Sequence, residues 1–233
     1  VHDTGHPGVM NPYLVATKHP LAIALGENPK AVLEHYHAEL AITLLDRPEL
    51  NFLSALPTDD RARFIELIRT NVLHTDVTTT MTAAKTFSER RPSANTIQFE
   101  EQAKEAANNK SAKSPSAEQV MCLIIKAADI SNPARPLNIY SRWIDGVLAE
   151  FFTQGDAEKA QEMPISMLCD RHTVQVPGSQ VGFITFLVQP LYKALYTYSP
   201  SLKPIYDTLE SNRVHFKALD EALKTEKAAA APK

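Results

Sequence analysis

The stretch PKAVLEHYHAELAITLLD, Pro29 to Asp46, carries the reading that decides the fold. Leu33, His37, Leu40, Ala41 and Leu44 recur at the spacing of one helical face, so a helix is expected over 29–46 with His37 on its buried stripe. Pro29 suits a first helical turn, and Pro48 follows the end. Downstream, TDDRARFIELI opens a second helix. Thr58 is placed to cap it, and Asp59 and Asp60 suit the positive end of the helix dipole. That helix runs through Ile65, Ile68 and Val72 to LHTD, Leu73 to Asp76. VMCLIIKAADISNP then reads as an apolar helix ending at Asp129, because Pro133 and the restricted residue before it resist continuation. Further helices are expected over 137–154, 178–194 and 201–224. The polar, proline-broken segment from Glu89 to Ser116 reads as a surface loop, and residues 225–233 as a flexible tail. No alternating run supports a sheet, so the expected fold class is all-α.

Composition agrees and narrows the function. With 233 residues the chain can bury a substantial core. Only 7 glycines occur, which favours helix over a turn-rich β fold. A net charge of −3 without a long basic run gives no electrostatic footprint for nucleic acid. The longest apolar run, Val181 to Val188, is too short to span a bilayer. Cys122 and Cys169 read as reduced thiols of a cytoplasmic protein rather than a disulfide framework.

The first residues, VHDTGH, hold the first chemistry. A neutral imidazole beside a carboxylate suits Zn²⁺, Mn²⁺ or Fe²⁺. Adjacent helix positions diverge by roughly 100°, so His2 and Asp3 share one ion only if it sits between their directions, or if Asp3 bridges two. A bridging carboxylate is what a two-metal hydrolase uses to hold a hydroxide against a phosphate. Taken alone, the commoner reading of the pair is a solvated helix end. Asp129 closes an apolar helix and needs a cation or hydrogen bonds to offset its burial, or else caps the following turn. Glu34 and His37 are three apart and so neighbours; they either orient a metal-held water or make a satisfied core histidine. Thr75 and Asp76, at a helix junction, read first as a cap.

Their order along the chain goes further. HDTGHPGVMNPYL, VLEHYHAEL, LHTD, AADISNPARPL, EFFTQGD, CDRH and SQVGFI, taken together from Val1 to about Phe216, resemble the catalytic domain of class I cyclic-nucleotide phosphodiesterases. The resemblance implies an all-helical compact domain of the HD type over 1–224, followed by the tail. It also implies that the domain is incomplete at its N-terminus. The family's HNxxH element, which supplies another metal-binding histidine and the general acid, has no match in this sequence and is expected upstream. General acid help is typically worth ~10²–10⁴ in rate, so residues 1–233 alone are expected to be impaired.

By similarity, His2, Asp3 and Asp129 are metal ligands, with Asp3 also reaching a second ion. His6, Glu34, Thr75 and Asp76 match positions that hold metal-bound waters or the ligands around them. The implied cofactors are two divalent ions, Zn²⁺ and Mg²⁺ (or Mn²⁺), which lower the pKa of a bridging water. Its hydroxide attacks phosphorus in line and the 3′-oxygen leaves, giving the 5′-monophosphate and ending a second-messenger signal. Gln180 corresponds to the purine-reading glutamine, whose amide offers both a donor and an acceptor. Phe183 matches the aromatic that stacks on the base, with Ile130 or Val147 as the opposing wall. Asn132 resembles the residue facing the adenine edge in cAMP-selective members. Tyr140 and Trp143 line the same region and restrain the glutamine. The implied partner is a cyclic nucleotide, cAMP favoured with cGMP or dual use open. Regulatory domains or homo-dimerisation are consistent with the family but leave no mark here.

The sequence also departs from the family pattern. Thr4 and Gly5 stand where an apolar residue and an aspartate are usual, and Tyr36 replaces the first of two histidines in VLEHYH. The ISML before CDRH lacks the loop's common proline. Two other readings compete: another HD-type nucleotide phosphohydrolase, and a degenerate domain that binds nucleotide or a partner without turnover. SQVGFI following CDRH argues against the first, and the retained downstream positions against the second.

Overall fold

The computed structural model describes residues 1–27, 29–89 and 115–230. The described residues contain helices and turns and no strand, as the periodicity requires. The helices are α1 (Asn11–Ala16), α2 (Pro20–Ile23), α3 (Val32–Leu45), α4 (Thr58–Leu73), α5 (Thr80–Glu89), α6 (Ala117–Asp129), α7 (Leu137–Ala160), α8 (Val176–Phe183), α9 (Gln189–Tyr198) and α10 (Lys203–Ala230). They divide between two compact units, Val1–Thr79 with Ala149–Asp170, and Thr80–Leu148 with Arg171–Lys233. Helix α7 gives its first half to the second unit and its second half to the first. Of the surface loop expected from Glu89 to Ser116, residues 90–114 lie outside the described residues, while Glu89 ends α5 and Ser116 caps α6.

In the first unit, Leu14, Ala22, Val32 and Leu33 form a small core joining α1, α2 and α3, and α3 packs on α4. His37 lies on the buried stripe, as the spacing predicts. Two helix starts differ from expectation. Helix α3 begins at Val32 rather than Pro29, because Ala31 sits in the left-handed region (φ 50°) and interrupts the helical path. Thr58 is the first residue of α4 rather than its cap, and its side chain makes no capping bond; Pro57 precedes it in extended conformation. Later in this unit, Gly155 of α7 meets the loop at Cys169 so closely that a Cβ would lie 2.0 Å from the Cys169 carbonyl oxygen.

In the second unit, α5 to α10 surround a core that includes Leu123, Ile184, Leu191 and Leu209. Helix α6 starts in a capping box, Ser116 with Gln119. Ile184–Val188 forms a π-helical segment between α8 and α9, so the single helix expected over 178–194 is three consecutive pieces. Pro190, in the first turn of α9, has no N–H for the ordinary i→i−4 bond, and the wider segment before it accommodates that loss. Helix α10 continues to Ala230 rather than ending at 224, since EKAAA is built of strong helix formers; 231–233 lie outside the described residues.

Candidate functional site

In the first unit the site begins in a turn, not at a helix end. Thr4 N–H donates to the Val1 carbonyl (3.2 Å) and His6 N–H to the Asp3 carbonyl (3.1 Å). Gly5 holds φ +74°, where an L side chain is strained, and a Cβ there would meet Leu40 at 2.7 Å and the Tyr36 hydroxyl at 2.9 Å. The two departures from the family pattern, Gly5 and Tyr36, therefore occupy neighbouring space. The turn sets His2 Nε2 3.2 Å from an Asp3 carboxylate oxygen. That hydrogen bond, with the nearby His37 and His6, holds the Asp3 carboxyl below its ordinary value despite partial burial.

His37 anchors the turn from α3. It is 1% exposed, and Nδ1 lies 2.8 Å from the Thr4 carbonyl. A carbonyl only accepts, so Nδ1 carries the proton and Nε2 faces Asp3 Oδ1 at 3.9 Å. Desolvation pushes His37 below its ordinary pKa, although the Thr4 carbonyl and Asp3 oppose the shift, which keeps the ring neutral at neutral pH. His6 stacks on it, centroids 5.5 Å apart. Asn11, which the sequence reading passed over, accepts from the Leu33 N–H (2.8 Å) and donates to Glu34 (3.0 Å). It thereby caps the start of α3 and fixes the Glu34 carboxylate; its place before Pro12 was the available signal. At the end of α4, Thr75 donates to the Val72 carbonyl (2.7 Å), and Asp76 accepts from the N–H and hydroxyl of Thr78 (2.9 and 2.8 Å). Both are buried, and both make the capping bonds their sequence position suggested.

A polar relay ties this turn's exit to the rest of the unit. Met10 N–H donates to Gln154 (2.8 Å), and Gln154 donates to Glu158 (2.8 Å). Glu158 also accepts from the N–H and hydroxyl of Ser166, each at 2.6 Å. Burial works to raise the Glu158 carboxyl, but the Ser166 and Gln154 donors outweigh it and hold it below its ordinary value. Read along the sequence, Gln154 and Glu158 pass for a solvated i,i+4 pair; only the packing shows that both are buried.

In the second unit, Asp129 is the last residue of α6. Two contacts secure that end. Tyr192 donates its hydroxyl to the Ala127 carbonyl (2.8 Å), one of the carbonyls a helix end leaves unpaired. Buried Lys126 donates to Thr80 (3.2 Å) and sets a cation at the negative end of the dipole. Ile130 follows, and Asn132 opens a 3₁₀ turn, Asn132–Ala134. Tyr140, fully buried, donates to Gln180 Oε1 at 2.6 Å, while Gln180 Nε2 donates to Ser179 (3.3 Å). Burial raises the Tyr140 hydroxyl far above its ordinary pKa, so it stays a donor. Phe183 ends α8 and packs, partly buried, against the core. Trp143 and Val147, further along α7, are exposed at 57% and 37%. Of the expected nucleotide-reading residues, Tyr140 and Gln180 are thus joined directly.

Known proteins are similar to this chain in sequence. A mouse protein named 3′,5′-cyclic-AMP phosphodiesterase 4C is 33% identical over 214 residues, covering 91% of this chain and 30% of its own length. A Caenorhabditis elegans protein, probable 3′,5′-cyclic-AMP phosphodiesterase pde-4, is 36% identical over 217 residues, with the same coverage of 91% and 30%. Another from C. elegans, probable 3′,5′-cyclic phosphodiesterase pde-1, is 35% identical over 82% of this chain and 26% of its own. The chain therefore spans less than a third of the length of these relatives. The family model described as 3′5′-cyclic nucleotide phosphodiesterase matches residues 1–209, a span that includes the His2–Asp3 turn, Asp129 and the Tyr140–Gln180 pair, and the chain belongs to that family.

Proposed function

We propose that the protein hydrolyses a 3′,5′-cyclic nucleotide, cyclic AMP in preference to cyclic GMP, to the 5′-monophosphate. The family match over residues 1–209 carries this reading. The names of the mouse protein and of pde-4 favour cyclic AMP, as does Asn132 in the loop after α6.

The first unit's donor set fits a divalent ion. The neutral His37 turns the lone pair of Nε2 toward Asp3 Oδ1, so two electron-pair donors face one space, an arrangement that a cation relieves. By the resemblance in sequence, His2, Asp3 and Asp129 would be the residues that hold the ions, Zn²⁺ and Mg²⁺ (or Mn²⁺). When bound, these supply Lewis acidity to the phosphate and lower the pKa of the attacking water. The chain's own residues do the rest. His37 fixes the turn that presents His2 and Asp3, Asn11 holds Glu34, and Thr75 and Asp76 stay locked in their capping bonds beside the end of α4. Tyr140 fixes the amide oxygen of Gln180, so that Gln180 meets a purine edge in one orientation. Phe183 stacks on the base, with Ile130 or Val147 opposite. In the net reaction water adds to phosphorus, the bond to the 3′-oxygen breaks, and a proton passes to that oxygen.

Two free, buried cysteines support a cytoplasmic setting. Burial pushes the Cys169 thiol up to about 11 and makes it a poor partner for oxidation. Among the described residues no helix is long and apolar enough to cross a membrane.

The test is chromatographic assay of 5′-AMP and 5′-GMP formed by the full-length protein with Zn²⁺ and Mg²⁺. Asp129→Ala is expected to abolish turnover with an unchanged helical circular-dichroism spectrum. Gln180→Ala is expected to raise KM about tenfold through loss of a bidentate contact. Metal-dependent turnover retained in Asp129→Ala overturns the ligand assignment, and no product from either nucleotide overturns the activity.

A further inference from the structure

Asn212, in the middle of α10, is 3% exposed. Its side-chain nitrogen donates to the Pro133 carbonyl and to the Arg135 carbonyl, each at 2.8 Å. Carbonyl oxygens only accept, so the amide has one allowed orientation, with both N–H groups on the loop after α6. That loop has few bonds of its own. Ala134 N–H donates to Ser131 (2.9 Å) and Arg135 N–H to Asn132 (3.2 Å), closing the 3₁₀ turn. Pro133 has no N–H to contribute, and the Pro133 and Arg135 carbonyls turn outward to Asn212. Four residues along α10, and so on the same face, Phe216 sets its ring edge-on to Tyr140, centroids 5.4 Å apart at 76°. One face of α10 therefore braces both the loop that carries Asn132 and the tyrosine that orients Gln180.

We propose that Asn212 is a positioning residue for purine recognition, clamping residues 133–135 so that Asn132 is presented to the base of the nucleotide. The proposal rests on the cyclic-nucleotide reading above. Asn212 is well suited to the task because it is short and fully committed: both of its donors are used on one loop. An apolar residue in its place would strand two carbonyls, one of them belonging to buried Pro133. Nothing in α10 reads as functional along the sequence, where SNRVHF looks like an ordinary helix interior.

The test uses Asn212→Leu, which keeps the volume and removes both donors, with the milder Asn212→Ser alongside it in case the first folds poorly. Losing two ordinary hydrogen bonds to the loop should raise KM for cyclic AMP about tenfold, with kcat changed less than about threefold. Amide exchange at Ala134 and Arg135 should accelerate by a similar factor. Leu195→Ala, a core truncation outside the loop, provides a matched loss of thermal stability and should leave KM unchanged. An unaltered KM in both Asn212 variants, or an equal rise in Leu195→Ala, overturns the positioning role while the cyclic-nucleotide reading stands. Absence of cyclic-nucleotide turnover in the unaltered full-length protein overturns that reading, and the positioning role with it.

Discussion

The Tyr140 hydroxyl donates to Oε1 of Gln180 at 2.6 Å from a fully buried position. Because burial keeps that hydroxyl protonated at any working pH, the bond works in one direction only. Tyr140→Phe keeps the ring and its edge contact with Phe216 but frees the glutamine amide to turn. Loss of one such bond is expected to raise KM for the preferred nucleotide about fivefold and to narrow the ratio of KM values for cyclic AMP and cyclic GMP. Steady-state kinetics with both nucleotides checks it, and an unchanged ratio would show that something other than Tyr140 holds the amide.

Gly5 makes a different kind of demand. Its φ of +74° and the 2.7 Å and 2.9 Å approaches to Leu40 and Tyr36 leave no room for a methyl group. Gly5→Ala should lower stability by about 1–2 kcal/mol from backbone strain alone and displace the His2–Asp3 turn. Urea unfolding measures the first effect and calorimetric titration with Zn²⁺ the second. Adding Tyr36→Phe removes one of the close contacts and should recover part of both.

Glu158 gives the structure an acid limit. Its carboxyl is depressed below the ordinary value of 4.5 by the Ser166 and Gln154 donors. A carboxyl lowered on folding contributes stability that is fully present above its unfolded pKa and is lost as pH falls through its folded pKa. The protein should therefore lose Tm as pH falls below the ordinary value of 4.5, and Glu158→Gln should flatten that limb. At neutral pH the same substitution should cost about 2 kcal/mol, the scale of hydrogen bonds to a charged group. Calorimetric scans across pH decide both points.

Gly155→Ala reverses a familiar rule. In an exposed helix this change stabilises by about 1 kcal/mol. Here the new methyl would lie 2.0 Å from the Cys169 carbonyl oxygen, so a loss of about 3 kcal/mol or more is expected from overpacking. Chemical denaturation gives the sign directly.

The sequence was most legible where burial follows helical period. His37 on the inner face of α3, the end of α6 at Asp129 and the long helices of the second unit were all readable from spacing and proline. Helix α5 was not, because TMTAAKTFSE carries three β-branched threonines and buries only Thr80, Ala84 and Phe87. Helices α1 and α2 are too short to show a period. The site divides along the same line. Residues with telling chemistry, such as His2, Asp3 and Gln180, stood out in the sequence. Those that hold them, Asn11, Gln154 and Asn212, are common polar types whose roles arise from partners 22 to 144 residues away.

The π-helical segment Ile184–Val188 has a consequence for how this chain's length can change. Each residue added to a helix rotates everything beyond it by about 100°, which is why insertions and deletions are usually confined to loops. A segment that already accommodates irregular spacing just before Pro190 is a place where one residue can be gained or lost inside a helix. Aligning this chain with a relative whose helix is regular there therefore calls for a gap behind Phe183, in the middle of a helix rather than in the nearest loop.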